Sequence, residues 1–284
     1  MGSRAILGEG PVWDDRSQRL VFVDILDKAI HLYDPANGAH EKVEAGQAIG
    51  AVGLREAGGL ILAVERGFAV LDPIPGGVPW MLAEVEAGDV TTRFNDGRCD
   101  AAGRFWAGTM AYDEGAGKGS LYKLNPDHSV ERVLGGVTVS NGLDWSSDNR
   151  TFYYIDSPTR SIDVFDFDLE SGRISGRRRF VEIPTEAGLP DGMVVDQEDF
   201  IWVALWGGRS VRRYSPAGQL DRVVHLPASQ VTSCAFGGPD RKDLYMTSAS
   251  MNLTEAELAT EPLAGSLFRY RPGVLGRPSH RYRG

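Results

Sequence analysis

The chain has 284 residues, 42% of them hydrophobic, with a formal net charge of -9 and a pI near 5.1. That balance argues against a nucleic-acid or anionic-membrane partner, either of which selects a basic face. Two cysteines supply no disulfide framework, and no apolar run approaches the roughly 18 residues of a spanning helix or follows a charged leader. A cytoplasmic protein is expected, with Cys99 and Cys234 as reduced core residues.

The first elements in chain order are a short segment over residues 10–14, a polar turn, a buried-looking run at 20–24 (Leu-Val-Phe-Val-Asp) and a half-exposed run ending at Pro35. The same succession returns. Buried runs recur at 60–64, 105–109, 152–156, 201–205 and 244–248, their starts 40, 45, 47, 49 and 43 residues apart. Each is followed by a run that alternates apolar with polar, and most of these close on a proline that cannot continue a ladder. Leading segments like the first recur at 142–146 and 192–196, so one repeat is an antiparallel meander of at least three strands. Residues 253–260 are the best helical candidate. With 35 glycines among 284 residues the composition suits many tight turns. The class is all-β, and the expected architecture is a six-bladed β-propeller forming one domain over residues 1–284. A sandwich would leave more sheet edge unprotected, and the coils of a β-helix are usually much shorter than these repeats.

Four oxygen-bearing residues occupy one register of the repeat. Glu9, Asn95, Asn141 and Asp191 each stand five residues before the turn that ends the innermost strand, at Asp14, Asp100, Ser146 and Asp196. The other two repeats place Ile49 and Thr232 there. Equivalent positions converge on a propeller axis, so the four are expected to meet. Two carboxylates and two carboxamides form a hard donor set, which favours Ca²⁺ first, then Mg²⁺ or Mn²⁺, with Zn²⁺ left open. His31, His40, His128, His225 and His280 fall in outer strands, loops or the tail and are expected to be structural or solvated. The basic groups 177–179 and 212–213 read as solvated strand faces. No Gly-x-Ser-x-Gly elbow or His-Glu-x-x-His motif is present.

Segments 8–13 (Gly-Glu-Gly-Pro-Val-Trp), 93–97 (Arg-Phe-Asn-Asp-Gly), 103–110, 140–145 (Ser-Asn-Gly-Leu-Asp-Trp), 152–157, 190–193 (Pro-Asp-Gly-Met) and 232–238 resemble those of the SMP-30/gluconolactonase (regucalcin-like) family. The likeness runs along nearly the whole chain. It implies a six-bladed propeller with one divalent cation on the axis and a sugar lactone as substrate. The family's metal ligands correspond to Glu9, Asn141 and Asp191, and its substrate contacts to Arg93 and Asn95. Asp113 stands where the family has an acidic contact, on a loop that is shorter here and rich in glycine. Only eight residues precede Glu9, so closure of the last blade is expected from residues 5–7 or 279–282.

The implied reaction opens an aldonolactone to its acid, with Asp191 as general base and the cation polarising the carbonyl. Trp206 and Tyr112 are candidates to stack on a sugar ring. Arg93 is alternatively a salt bridge between blades. A phosphotriesterase or aryl-lactonase on the same site, and a non-enzymatic calcium-binding propeller, stay open because fold does not set chemistry. A monomer or weak homo-oligomer is expected.

Overall fold

The structure, a computed structural model, describes residues 4–284. Among these, short apolar runs separated by turn residues form six antiparallel sheets around one axis, a six-bladed β-propeller. Blade 1 contains β1 (Gly8–Asp14), β2 (Arg19–Asp24), β3 (Ala29–Tyr33) and β4 (His40–Glu44); blade 2 contains β5 (Ile49–Arg55), β6 (Leu60–Val64), β7 (Gly67–Leu71) and β8 (Trp80–Glu84). Blade 3 follows with β9 (Thr92–Cys99), β10 (Phe105–Ala111), β11 (Gly119–Leu124) and β12 (Val130–Val137). Blade 4 holds β13 (Ser140–Trp145), β14 (Thr151–Asp156), β15 (Ser161–Asp168) and β16 (Arg173–Glu182). Blade 5 holds β17 (Leu189–Val195), β18 (Ile201–Trp206), β19 (Ser210–Tyr214) and β20 (Leu220–His225). Blade 6 has three strands among the described residues, β21 (Val231–Gly237), β22 (Asp243–Ser248) and β23 (Phe268–Tyr270).

The six buried runs expected from the sequence are the second strands of the six blades. Each is covered on both faces by its neighbours, which is why it reads as a continuous apolar stretch. The fourth strands were not legible: β8, β12 and β20 are largely exposed and carry little apolar alternation. Inner strands touch in a ring, β1 to β5, then β9, β13, β17, β21 and back to β1. Between blades 3 and 4 the core is aromatic, whereas between blades 1 and 2 it is aliphatic. Trp106, Trp145 and Phe152 are fully buried with ring centroids 5.2–5.7 Å apart, each stabilising the blade contact by about 1.5–3 kcal/mol.

The short helix α1 (Glu255–Thr260) forms where expected, set by a capping box in which the Thr254 side chain and Glu257 satisfy each other's backbone N–H groups. Ring closure is shared by short contacts around residues 5–8. Leu7 bridges to Ala249, the Ser250 hydroxyl donates to Ala5 O at 2.8 Å, and Thr232 Oγ1 donates to Gly8 O at 2.5 Å. The C-terminal tail does not close blade 6. Its strand β24 (Arg281–Tyr282) pairs in parallel with Leu54 and Arg55 of blade 2, drawn there by burial of the Tyr282 ring against the blade 2 and blade 3 core.

Two expectations about charge separate. Arg177 and Arg178 are half-exposed and pair with Asp163 and Asp166, as a solvated face predicts. Arg213 is instead buried, held by Asp196, Glu198 and Asp221 and stacked 3.7 Å from the centroid of Phe200. Among the histidines, His31 and His40 meet across β3 and β4 with Nδ1 and Nε2 2.7 Å apart. Burial, reinforced by His40, pushes His31 down to about 4. Both cysteines are buried free thiols, and burial raises Cys234 to about 12 and Cys99 further.

Candidate functional site

Every inner strand breaks its ladder register at the candidate position. The shifts fall between Glu9 and Val12, Ile49 and Ala51, Phe94 and Asp96, Asn141 and Leu143, Pro190 and Met193, and Val231 and Ser233. A β-bulge turns a side chain out of the pleat. Here four of the six bulges bring Glu9, Asn95, Asn141 and Asp191 to one axial cavity, which Ile49 and Thr232 do not line. The following residue must let neighbouring strands pack closely. A Cβ on Gly142 would sit 2.7 Å from the Asp191 carbonyl oxygen, and one on Gly192 would sit 2.1 Å from Ser233 Oγ. The glycines after Asn141 and Asp191 are therefore packing requirements of the convergence, whereas Gly10 after Glu9 stands in open space and is set by its φ of 52°.

Glu9, Arg93, Asn95, Asn141 and Asp191 come together on one axial cavity of about 130 Å³. All five are buried. A polar relay orders them: Arg93 Nη1 donates to Asn95 Oδ1 at 2.7 Å, Asn95 Nδ2 donates to Asn141 Oδ1 at 3.2 Å and to Ser140 O at 2.8 Å. Asn141 Nδ2 then donates to Ser157 Oγ at 2.8 Å, and that hydroxyl donates to Pro190 O at 2.6 Å. Arg93 also donates to its neighbour's carbonyl, Phe94 O, at 3.0 Å and forms no ion pair among the described residues. The salt-bridge alternative for it is thus set aside.

The two carboxylates are poorly satisfied. Glu9 accepts one backbone N–H, from Gly10 at 3.0 Å, and Asp191 Oδ1 is buried without a hydrogen-bond partner. Burial, then the charges of Asp191 and Asp96, pushes Glu9 well above the ordinary carboxylate range. Burial followed by Asp96 does the same to Asp191. The Arg93 guanidinium opposes both shifts but forms an ion pair with neither, so the two buried carboxyls and the orphaned Asp191 Oδ1 are left without direct neutralisation. Their all-oxygen donor set, completed by a carboxamide, fits a hard divalent cation.

Asp113 is not at the cavity. It is exposed, accepts from Gly115 N at 2.9 Å and pairs with Lys118 Nζ at 2.7 Å. The acid that lines the cavity is Glu114, held at a φ of 53°. The sequence carried a signal for this: an Asp two residues before a Gly is the turn former, which leaves the next acid free. Trp206 lines the cavity as expected, whereas Tyr112 lies outside it, with its hydroxyl on Glu65 Oε1 at 2.8 Å and its ring 5.9 Å from Arg93 Cζ.

Sequence reasoning missed Ser157, which fixes Asn141, and Asp96, a third buried carboxyl that burial raises to about 6 against the pull of Arg98. Asp96 belongs to the same five-residue motif as Arg93 and Asn95, so the motif itself was the clue.

Residues 7–250 match the profile described as SMP-30/Gluconolactonase/LRE-like region. Regucalcin of Danio rerio is 41% identical over 98% of this chain and 95% of its own length, and regucalcin of Homo sapiens is 38% identical over the same shares. Among solved structures, a calcium-binding protein, regucalcin, from Agrobacterium tumefaciens superposes with a TM-score of 0.94 at 29% identity, covering 99% of this chain and 95% of that one. A luciferin-regenerating enzyme superposes at 0.93 with 32% identity, covering 100% and 97%. With the family model matching residues 7–250 and a relative 41% identical over 98% of the chain, the chain belongs to the SMP-30/gluconolactonase/LRE-like family.

Proposed function

We propose that the protein is a divalent-metal-dependent hydrolase that opens lactones, with aldonolactones such as gluconolactone as the reference substrates. The observation that carries this reading is the buried pair Glu9 and Asp191, with Asn141, facing one axial cavity with Asp191 Oδ1 left without a partner. Membership of a family that includes gluconolactonase supports the reaction class. Glu9, Asn141 and Asp191 would hold the ion, with Ca²⁺ first among candidates and Mg²⁺, Mn²⁺ or Zn²⁺ as alternatives. A bound divalent ion supplies Lewis-acid polarisation of the ester carbonyl.

The chain's own groups do the rest. Arg93 and Glu114, on one side of the cavity, bind and orient substrate hydroxyls, while Asn95 is held by Arg93 and aligns Asn141. Asp191 Oδ1, with no donor of its own, is the acceptor for a proton from the attacking water. Tight packing around the axis leaves that oxygen in a poorly solvated setting, where its basicity counts.

A pH-indicator assay of acid release over aldonolactones, first with chelator and then with single divalent ions restored, tests substrate and metal together. Turnover that appears only with added ion is expected; equal turnover in chelator overturns metal dependence. A second reading, a calcium-binding propeller without catalysis, draws on the description of the Agrobacterium protein. It is favoured if the ion binds but neither lactones nor phosphotriesters are hydrolysed.

A further inference from the structure

Arg93 is tethered through one nitrogen. Its Nη1 donates to Asn95 Oδ1 at 2.7 Å and to Phe94 O at 3.0 Å, and among the described residues no acceptor takes Nη2 or Nε. Those two nitrogens are left for substrate hydroxyls. A guanidinium held at a single nitrogen keeps rotational freedom along its side chain, so the direction of the free donors depends on what else touches the group.

Tyr112 is placed to set it. Arg93 on β9 pairs across the ladder with Met110 on β10, and the ladder continues one step further through Tyr112 N, which donates to Thr91 O at 2.9 Å. Tyr112 is therefore the diagonal neighbour of Arg93 on one face of blade 3, a separation that long and aromatic side chains span. The ring centroid lies 5.9 Å from Arg93 Cζ, within reach of a cation–π contact. The ring is itself braced from another blade: its hydroxyl donates at 2.8 Å to Oε1 of Glu65, the residue after β6 in blade 2, and that carboxylate accepts from nothing else among the described residues.

The same residue opens the β10–β11 loop. Glu114 N donates to Ala111 O at 3.0 Å, so the turn that carries the cavity-lining acid encloses Tyr112. Further on, Asp113 pairs with Lys118, and Gly117 N donates to Thr138 Oγ1 at 3.2 Å. The loop is thus fixed at both ends, to Glu65 of blade 2 and to Thr138 ahead of blade 4, with Glu114 between.

We propose that Tyr112 is a positioning residue for substrate binding: braced by Glu65, it holds the Arg93 guanidinium and the Glu114 loop in the arrangement that meets substrate hydroxyls, without touching the substrate itself. This rests on the lactonase reading and deepens it.

A substitution cycle on the metal-loaded full chain with glucono-δ-lactone tests it. Tyr112→Leu is expected to lower kcat/KM about fivefold, the worth of a partly exposed cation–π contact, through KM and with kcat changed by less than about twofold. In an Arg93→Ala, Glu114→Gln background the same substitution is expected to change kcat/KM by less than about twofold, because the groups it positions are gone. Glu65→Ala leaves the ring and removes its brace; it is expected to raise KM in the same direction and to speed amide exchange across residues 113–118 about tenfold, the value of one hydrogen bond to a charged group. A Tyr112→Leu effect of equal size in both backgrounds, or a lowered melting midpoint with KM unmoved, overturns the inference and leaves the lactonase reading standing. A parent protein that opens no aldonolactone overturns both.

Discussion

Asp191 and Asp196 lie five residues apart on one blade, both buried, and their surroundings are opposite. Asp196 Oδ1 accepts from Glu198 N and Phe200 N at 2.9 and 3.0 Å, and Oδ2 accepts from Trp202 Nε1 and from Arg213 Nε and Nη2 at 2.9, 2.9 and 2.7 Å. Asp100 in blade 3 repeats the arrangement with Trp106 and Arg104. Asp191 Oδ1 accepts nothing, and its nearest charged neighbours include two more carboxyls, Glu9 and Asp96. Burial is therefore no guide to role in this molecule. A satisfied buried carboxylate is a fastener, and an unsatisfied one is held ready for something that arrives later.

Paired substitutions on the one blade separate the two roles most sharply. Asp191→Asn is expected to lower kcat by about 10²–10⁴-fold while leaving the denaturation midpoint of the metal-free protein unchanged or higher, because a buried carboxyl with an unpartnered oxygen is removed. Asp196→Ala is expected to lower stability by about 3–5 kcal/mol, since it strips a buried guanidinium of its main partner. Steady-state kinetics and urea denaturation read the two. The contrast collapses if Asp191→Asn proves the more destabilising.

Next in size is the ion itself. At a hundred times its Kd, Ca²⁺ should raise stability by about 2.7 kcal/mol, reversed by chelator. The sign of the accompanying proton change follows from the raised carboxyls. Burial raises the Glu9 and Asp191 carboxyls and a bound cation lowers them again, so ion binding in weak buffer is expected to release protons rather than take them up. Proton uptake, or no midpoint shift in thermal melts, counts against a cation at these residues.

A smaller effect tests the two adjacent acids of the β10–β11 loop. Glu114→Gln is expected to raise KM for a hydroxylated lactone by roughly tenfold, the value of a hydrogen bond to a charged group, and Asp113→Asn by less than about twofold, since it sits in an exposed ion pair. The reverse order would restore Asp113 to the site.

Least tied to the axial site is the pH response of the outer strands. His31 is pushed down to about 4 by burial, below the unfolded value near 6.5. Between those values the unfolded chain binds a proton that the folded one refuses, so stability falls as pH drops from about 6.5 toward 4 and levels off below. Denaturation midpoints of the parent and His31→Leu at pH 7 and pH 4.5 should show a shallower acid loss in the variant. Identical slopes would remove His31 from the account.

The propeller was legible because its cause is local and repeated. Residues 60–64 and 201–205 read as strands since covered strands must be apolar throughout, and 253–260 read as the one helical stretch, where the structure has α1. The register of Glu9, Asn95, Asn141 and Asp191 was legible for the same reason. Exposed strands such as β12 were not, because solvent imposes no pattern on them. Arg213 also escaped: its partners Asp196 and Asp221 lie on other strands, and only pairing brings them to it.

By itself the amino-acid sequence determined the repeat, the blades and the four side chains directed at the axis, since alternation, turn residues and glycine act within a few bonds of where they stand. Tertiary structure decided which carboxylates are paired and which are left bare, that Glu114 and not Asp113 lines the cavity, and that the tail docks on blade 2. Those outcomes depend on charges and surfaces from different blades meeting in space, where a few ångströms set the sign of an interaction that chain distance leaves open.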